Sequence, residues 1–258
     1  MRVQSLTLAA ASAALLAPAA LPAPVDTAHR PRRDPVVGDA VVQGAVVRDA
    51  GEVGAAELLA RVRDCDQISR GRYRTDAGAP RTVPVCGTPD AVYWKADLDI
   101  DCDGRPGRRC NARTDPYYSD TTAFAGSNGR PLDAERLPYI VVPVASDTWD
   151  YRAHGVRGGS VAAVVYRDRV RYAVVGDTGP RDIIGEASYA AARALGIRPD
   201  PHGGGTGSGV TYIVFRDSRV TPIDDREAAV TEGTRLARAF VEGGGRPSTA
   251  TSPPATAD

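Results

Sequence analysis

The stretch Arg171-Tyr172-Ala173-Val174-Val175-Gly176-Asp177-Thr178-Gly179-Pro180-Arg181-Asp182-Ile183-Ile184-Gly185-Glu186 is where the reading of this chain starts. Its first five residues form an apolar run suited to a buried strand, and Gly176, Gly179 and Pro180 then punctuate a sharp turn. Ala187 to Leu195 follows as an Ala-rich helical pattern, closed by Gly196 with Pro199 beyond. The pattern predicts a strand end that aims Asp177 outward and a helix start that carries Glu186 in its first turn. Two carboxylates brought together from different elements can do acid/base chemistry, one donating a proton while the other accepts one. The same spacing also suits a structural role, with Asp177 as a turn residue and Glu186 as a helix-dipole partner.

Upstream, Ser160 to Tyr166 and Val170 to Val175 are strand-like runs separated by Arg167-Asp168-Arg169, a hairpin by length and turn composition. Leu137 to Pro143 reads as a strand whose prolines confine it to an edge or to its ends. From Ala91 to Asp101 the chain reads as another strand, and apolar and acidic residues alternate from Ala96 to Ile100, so that Asp97, Asp99 and Asp101 share one face. Asp99, Asp101, Asp103 and Gly104 match the start of a calcium loop, but Cys110 stands where that loop needs a bidentate Glu, which removes the standard motif. A turn with solvated acids, or an acidic lining for a cationic ligand, fits these residues better. Ala55 to Val62 carries a short helical pattern, residues 70–90 are turn-rich, and 110–129 is a polar loop.

Downstream, His202 to Gly209 is a Gly-rich loop before the strand pattern Val210 to Phe215. It lacks the Lys and the following helix of a phosphate-binding loop. Asp225 to Val241 is amphipathic, with Asp224 as its expected N-cap and Glu227 completing a capping-box-like start. The whole is mainly β with a few helices. Residues 1–23 have the basic start, apolar run and small-residue cleavage points of a secretory signal peptide, 24–53 read as a linker or pro-segment, 54–243 as the folded domain, and 244–258 as a tail too poor in large apolar residues to order itself. A secreted chain favours disulfides, and sequence order favours Cys65 with Cys86 and Cys102 with Cys110 among the three possible pairings.

The chemistry narrows by elimination. The chain carries 32 basic and 32 acidic residues, which implies no nucleic-acid partner. Its three histidines come without a nucleophile elbow, no C-x-x-C pair proposes a zinc site, and no dinucleotide fingerprint follows a strand. No metal, cofactor or membrane anchor is expected. Carboxylates remain, with Trp94, Trp149, Tyr139 and Tyr212 as possible stacking faces for sugar rings.

At Val174-Val175-Gly176-Asp177-Thr178-Gly179-Pro180 and Ile184-Gly185-Glu186-Ala187-Ser188 the sequence resembles the catalytic segment of family 75 glycoside hydrolases, the chitosanases first described in fungi. Asp99 to Gly104, Leu137 to Pro143 and Gly209 to Phe215 look like the family's other blocks in the same order, although the loop between the two acids is shorter here. The resemblance implies a double-psi β-barrel and inverting endo-hydrolysis of β-1,4-linked glucosamine in chitosan, with Asp177 and Glu186 as the essential acids; a monomer is the expected state. Glu186 is assigned as general acid and Asp177 as general base. A helix N-terminus favours ionised carboxylate, so burial or repulsion from Asp177 must outweigh the dipole for that order to hold; otherwise the roles swap. Chitosan is a polycation, and Asp97, Asp99, Asp101 and Asp103, with Tyr139, Thr211 and Tyr212, are the expected substrate-binding residues. Asp101 and Asp103 could instead cap the turn beside the Cys102 bridge. A non-catalytic wall-binding barrel and a hydrolase of another glycan such as peptidoglycan are the competing readings.

Overall fold

A computed structural model describes residues 52–243; the expected signal peptide, most of the expected linker and the expected tail lie outside them. Ala55–Arg61 forms helix α1, burying Leu58, and Cys86–Gly87 forms the short strand β1. The strands that follow are β2 (Ala91–Asp101), β3 (Tyr139–Pro143), β4 (Val161–Tyr166), β5 (Arg169–Gly179) and β6 (Glu186–Ser188). Helix α2 (Tyr189–Leu195), strand β7 (Thr206–Phe215) and helix α3 (Arg226–Glu242) complete the chain.

The sheet runs β1-β2-β6-β3-β5-β4-β7, and β7 pairs back onto β2, so six strands close into a barrel with β1 appended to it. The pairs β2·β6 and β3·β5 are parallel, while β4 with β5, β4 with β7 and β2 with β7 are antiparallel. Closure turns one face of the sheet inward, and alternate residues from the barrel strands meet there: Val92, Trp94 and Leu98 with Ile140, Val175 and Tyr212 are among one buried cluster. The opposite set, including Tyr93, Val141, Val174, Ile213 and Phe215, belongs to a second cluster with Leu58 of α1 and Phe240 of α3. The barrel-like architecture expected from the sequence is therefore present.

Local readings hold unevenly. Val161 to Tyr166 and Arg169 onward form the expected hairpin, but β5 runs on through Gly179, so Asp177 sits within a strand rather than past its end. β3 is an interior strand between β5 and β6; its prolines are accommodated at the ends, Pro138 preceding it and Pro143 closing it. Gly207 and Gly209 belong to β7 instead of a loop. The N-cap of α3 is Asp225, whose carboxylate accepts from Ala228 N, and not Asp224, which accepts from Ser127 N at 2.9 Å. That one-residue shift moves Glu227 out of the capping-box position. The disulfides are Cys65–Cys86 and Cys102–Cys110, as sequence order favours.

Trp94 anchors the inner core. It is fully buried, stacks on Tyr212 with ring centroids 5.2 Å apart, and meets Trp149 edge-on at 6.2 Å. Its truncation leaves a cavity that the closed sheet cannot collapse around, and Trp94→Ala is expected to cost about 3–5 kcal/mol of stability in urea unfolding.

Candidate active site

The register of four adjacent strands assembles the acids. Asp99 of β2 pairs with Glu186 of β6 in a parallel ladder, so the two side chains stand on the same face. Ile140 of β3 pairs with Ala187, which puts Val141 beside Glu186, and Val141 in turn pairs with Asp177 of β5. Asp99, Glu186, Val141 and Asp177 thus form one row across β2, β6, β3 and β5, on the outward face of the barrel.

Asp177 reaches that face through a bulge. Ile140 pairs with Val175 but Val141 pairs with Asp177, leaving Gly176 as the additional residue on β5. A bulge interrupts the two-residue alternation and re-aims the side chain that follows. A Cβ at Gly176 would lie 2.6 Å from the Cβ of Tyr139, so the bulge needs glycine there.

Glu186 lies on a strand, contrary to the helix-start expectation. Helix α2 begins at Tyr189, and Ser188 is its N-cap, with Oγ accepting from Ala191 N. The same hydroxyl accepts from Tyr139 N at 3.0 Å and donates to Leu137 O at 2.8 Å, tying β6 to the start of β3. Glu186 therefore precedes the cap and stands apart from the first-turn N–H groups that would stabilise its charge. Its carboxylate reaches across β3 to β5: Oε2 lies 2.6 Å from where a Gly179 Cβ would be. Residues two apart on a strand are separated by roughly 6.6–6.8 Å, so the Glu186 carboxylate lies about that far from the root of the Asp177 side chain.

The cleft over this row has a volume of about 570 Å³ and is lined by Asp99, Asp101, Asp103, Asp177 and Glu186 together with Asp115, Tyr117, and residues 200–204. Asp101 Oδ1 accepts from Asp103 N and Asp103 Oδ1 accepts from Ser119 N, each at 2.7 Å, so both acids cap the turn beside the Cys102–Cys110 bridge while also facing the cleft. Four expected binding residues are placed elsewhere. Asp97 is buried behind Gly185 with its Oδ1 unpartnered. Tyr139 is buried and donates to Asp103 O at 3.0 Å. Tyr212 lies in the inner core, donating to Asp97 O at 2.8 Å, and Thr211 is buried between Lys95 of β2 and Val165 of β4. Closing the barrel hides these β7 residues. Tyr117, which the sequence left in a featureless loop, is on the cleft.

The two central acids differ in their surroundings. Asp177 Oδ1 accepts from Ala123 N and Thr178 N, both at 2.7 Å; burial raises its pKa, and these two N–H groups oppose the rise. No hydrogen-bond donor among the described residues reaches the Glu186 carboxylate. Burial, followed by repulsion from Asp99, Asp103 and Asp177, pushes its pKa up to about 7. Burial and neighbouring charge likewise raise Asp103 to about 6 and Asp97 to about 8. Asp76, Asp97 and Asp99 hold carboxylate oxygens within 4.8 Å of one another, the group among the described residues that could hold a metal ion. An acidic pair with one hydrogen-bonded member and one bare member is chemically set for proton donation by the bare one.

Comparison with known proteins identifies the family. Residues 98–241 match the model of a family described as fungal chitosanase of glycosyl hydrolase group 75. An endo-chitosanase of Aspergillus oryzae (strain ATCC 42149 / RIB 40) is 32% identical over 164 residues, covering 55% of this chain and 66% of that protein. An endo-chitosanase of Aspergillus fumigatus is 29% identical over 137 residues, covering 48% of this chain and 58% of that one. The chain thus spans a little under two thirds of the length of these curated relatives. Among solved structures, Streptomyces papain inhibitor aligns at a TM-score of 0.31 and 17% identity over 50% of this chain and 99% of its own, too loose a likeness to bear on function. Since the family model covers more than half of the sequence and takes in both central acids, this chain belongs to glycosyl hydrolase group 75.

Proposed function

We propose that the protein is a secreted endo-chitosanase that hydrolyses β-1,4-linked glucosamine with inversion, Glu186 acting as general acid and Asp177 as general base. The observation that carries this reading is the pairing, in one row over the cleft, of a half-buried Glu186 that accepts no hydrogen bond among the described residues with a doubly hydrogen-bonded Asp177. Ionised Asp177 takes a proton from a water that attacks the anomeric carbon. Glu186 gives its proton to the departing glycosidic oxygen, and the C–O bond breaks on the opposite face. An inverting pair works with carboxyls about 6.5–9.5 Å apart, which leaves room for that water.

The difficulty raised by a helix dipole falls away with Glu186 on β6, which supports the acid–base order over its reverse. Asp99 and Asp103 give the cleft a negative field suited to a polyamine chain, while desolvation raises the Asp101 pKa well above the usual carboxylate range. Two disulfides fit an oxidising compartment, in keeping with a signal peptide at 1–23, a linker at 24–53, a catalytic domain at 54–243 and a tail at 244–258. No helix among the described residues is long and apolar enough to cross a membrane.

Release of reducing ends from chitosan, chitin and peptidoglycan tests the substrate. Release is expected from chitosan alone, and binding without release at any pH would reject the enzyme reading. Proton NMR of the first-formed product is expected to show the α-anomer, and a β-product would reject inversion.

A further inference from the structure

We propose that Tyr117 is a stacking platform that binds a glucosamine ring at the end of the cleft, an inference that rests on the chitosan reading above. Aromatic side chains are large apolar surfaces that folding ordinarily hides, and Trp94, Tyr73, Tyr93, Tyr139, Tyr212, and Phe215 are all fully or almost fully buried. Tyr117 is 92% exposed, and it lines the same cleft as Asp177 and Glu186. Its ring is left exposed by the packing of the described residues, and its position on the cleft gives that exposure a function.

The ring is exposed, but the backbone that carries it is held on both sides. Tyr117 N donates to Asp115 Oδ1 at 2.8 Å, and Asp115 N donates to Asn111 O at 3.0 Å. On the other side Tyr118 Oη donates to Gly104 O at 2.6 Å, and Ser119 N donates to Asp103 Oδ1 at 2.7 Å. Gly104 N donates back to Ser119 O at 3.0 Å, so the segment is stitched to the turn beside the Cys102–Cys110 bridge. Holding the loop in advance reduces the ordering cost of binding to the ring.

A pyranose presents a face of C–H bonds that packs on an aromatic ring, and a protonated 2-amino group adds attraction to the ring's negative face. The acids deeper in the cleft select charge but not ring geometry. Tyr117 would therefore hold a sugar away from the cut bond, raising affinity for longer chains without touching the chemistry.

The test is titration calorimetry of a glucosamine hexasaccharide into Glu186→Gln, with and without Tyr117→Ala. Tyr117→Ala is expected to weaken Kd about tenfold, the equivalent of ~1.4 kcal/mol. Tyr117→Phe, which keeps the ring, is expected to retain the affinity. In the active protein Tyr117→Ala should raise KM on chitosan about tenfold and leave kcat within about twofold, with Tm unchanged within about 1 °C. A Kd change below about twofold, or an equal loss in Tyr117→Phe, would overturn the stacking role. A wild type that hydrolyses nothing but binds the hexasaccharide in a Tyr117-dependent way would sink the catalytic reading and leave this one standing.

Discussion

Glu186→Gln is expected to lower kcat on chitosan by about 10²–10⁴-fold and to remove the alkaline limb of the pH profile. The expectation follows from the protonation state. A carboxyl that must donate a proton is active only while it holds one, and Glu186 keeps its proton up to about pH 7 because desolvation in the half-buried cleft wall, followed by the charges of Asp99, Asp103 and Asp177, favours the neutral form. In the unmodified protein activity should therefore fall as pH rises through about 7, by about tenfold per unit above it. Gln is nearly isosteric but has no titrating proton, so the variant should show neither the rate nor the limb. A glucosaminyl fluoride sharpens the measurement, since fluoride departs without protonation. The deficit of Glu186→Gln should shrink on that substrate. A deficit of equal size on chitosan and on the fluoride would reject Glu186 as the acid.

The strands that form the barrel were legible from local signals: period two survives from Ala96 to Ile100, and length and turn composition mark the hairpin around Arg167-Asp168. What escaped was local geometry that depends on partners. Glu186 belongs to a three-residue strand followed at once by an Ala-rich helix, and three residues carry too little alternation to compete with the helical pattern beyond them. Gly176 read as a turn signal because glycine marks both turns and bulges; only pairing with β3 tells the two apart. Thr211 and Tyr212 read as sugar-binding because of residue type, whereas closure of β7 onto both β2 and β4 buries them. Tyr117 had no periodic context to single it out, and its exposure becomes visible only when the loop is fixed in space. Elimination of histidine, cysteine and cofactor motifs left carboxylates as the available chemistry, and the resemblance to family 75 singled out Asp177 and Glu186 among them.

Asp177→Asn is expected to reduce kcat on chitosan by about 10²–10⁴-fold as well, but with a different signature. Asp177 must be ionised to accept a proton, so its loss should remove the acidic limb of the profile. The two N–H groups from Ala123 and Thr178 hold its Oδ1 in place and favour the charged form. Asn keeps an acceptor for both and should fold normally. The substitution also removes a negative charge that raises the pKa of Glu186. With that repulsion gone Glu186 should lose its proton at lower pH, moving the remaining alkaline limb downward. Unlike the Glu186 variant, Asp177→Asn should stay impaired on a glucosaminyl fluoride, because activation of the attacking water is still required when the leaving group needs no proton. The sign of the limb shift and the fluoride response together separate the two roles. An Asp177→Asn variant rescued by fluoride, beside a Glu186→Gln variant that is not, would establish the reverse assignment on the same pair of acids.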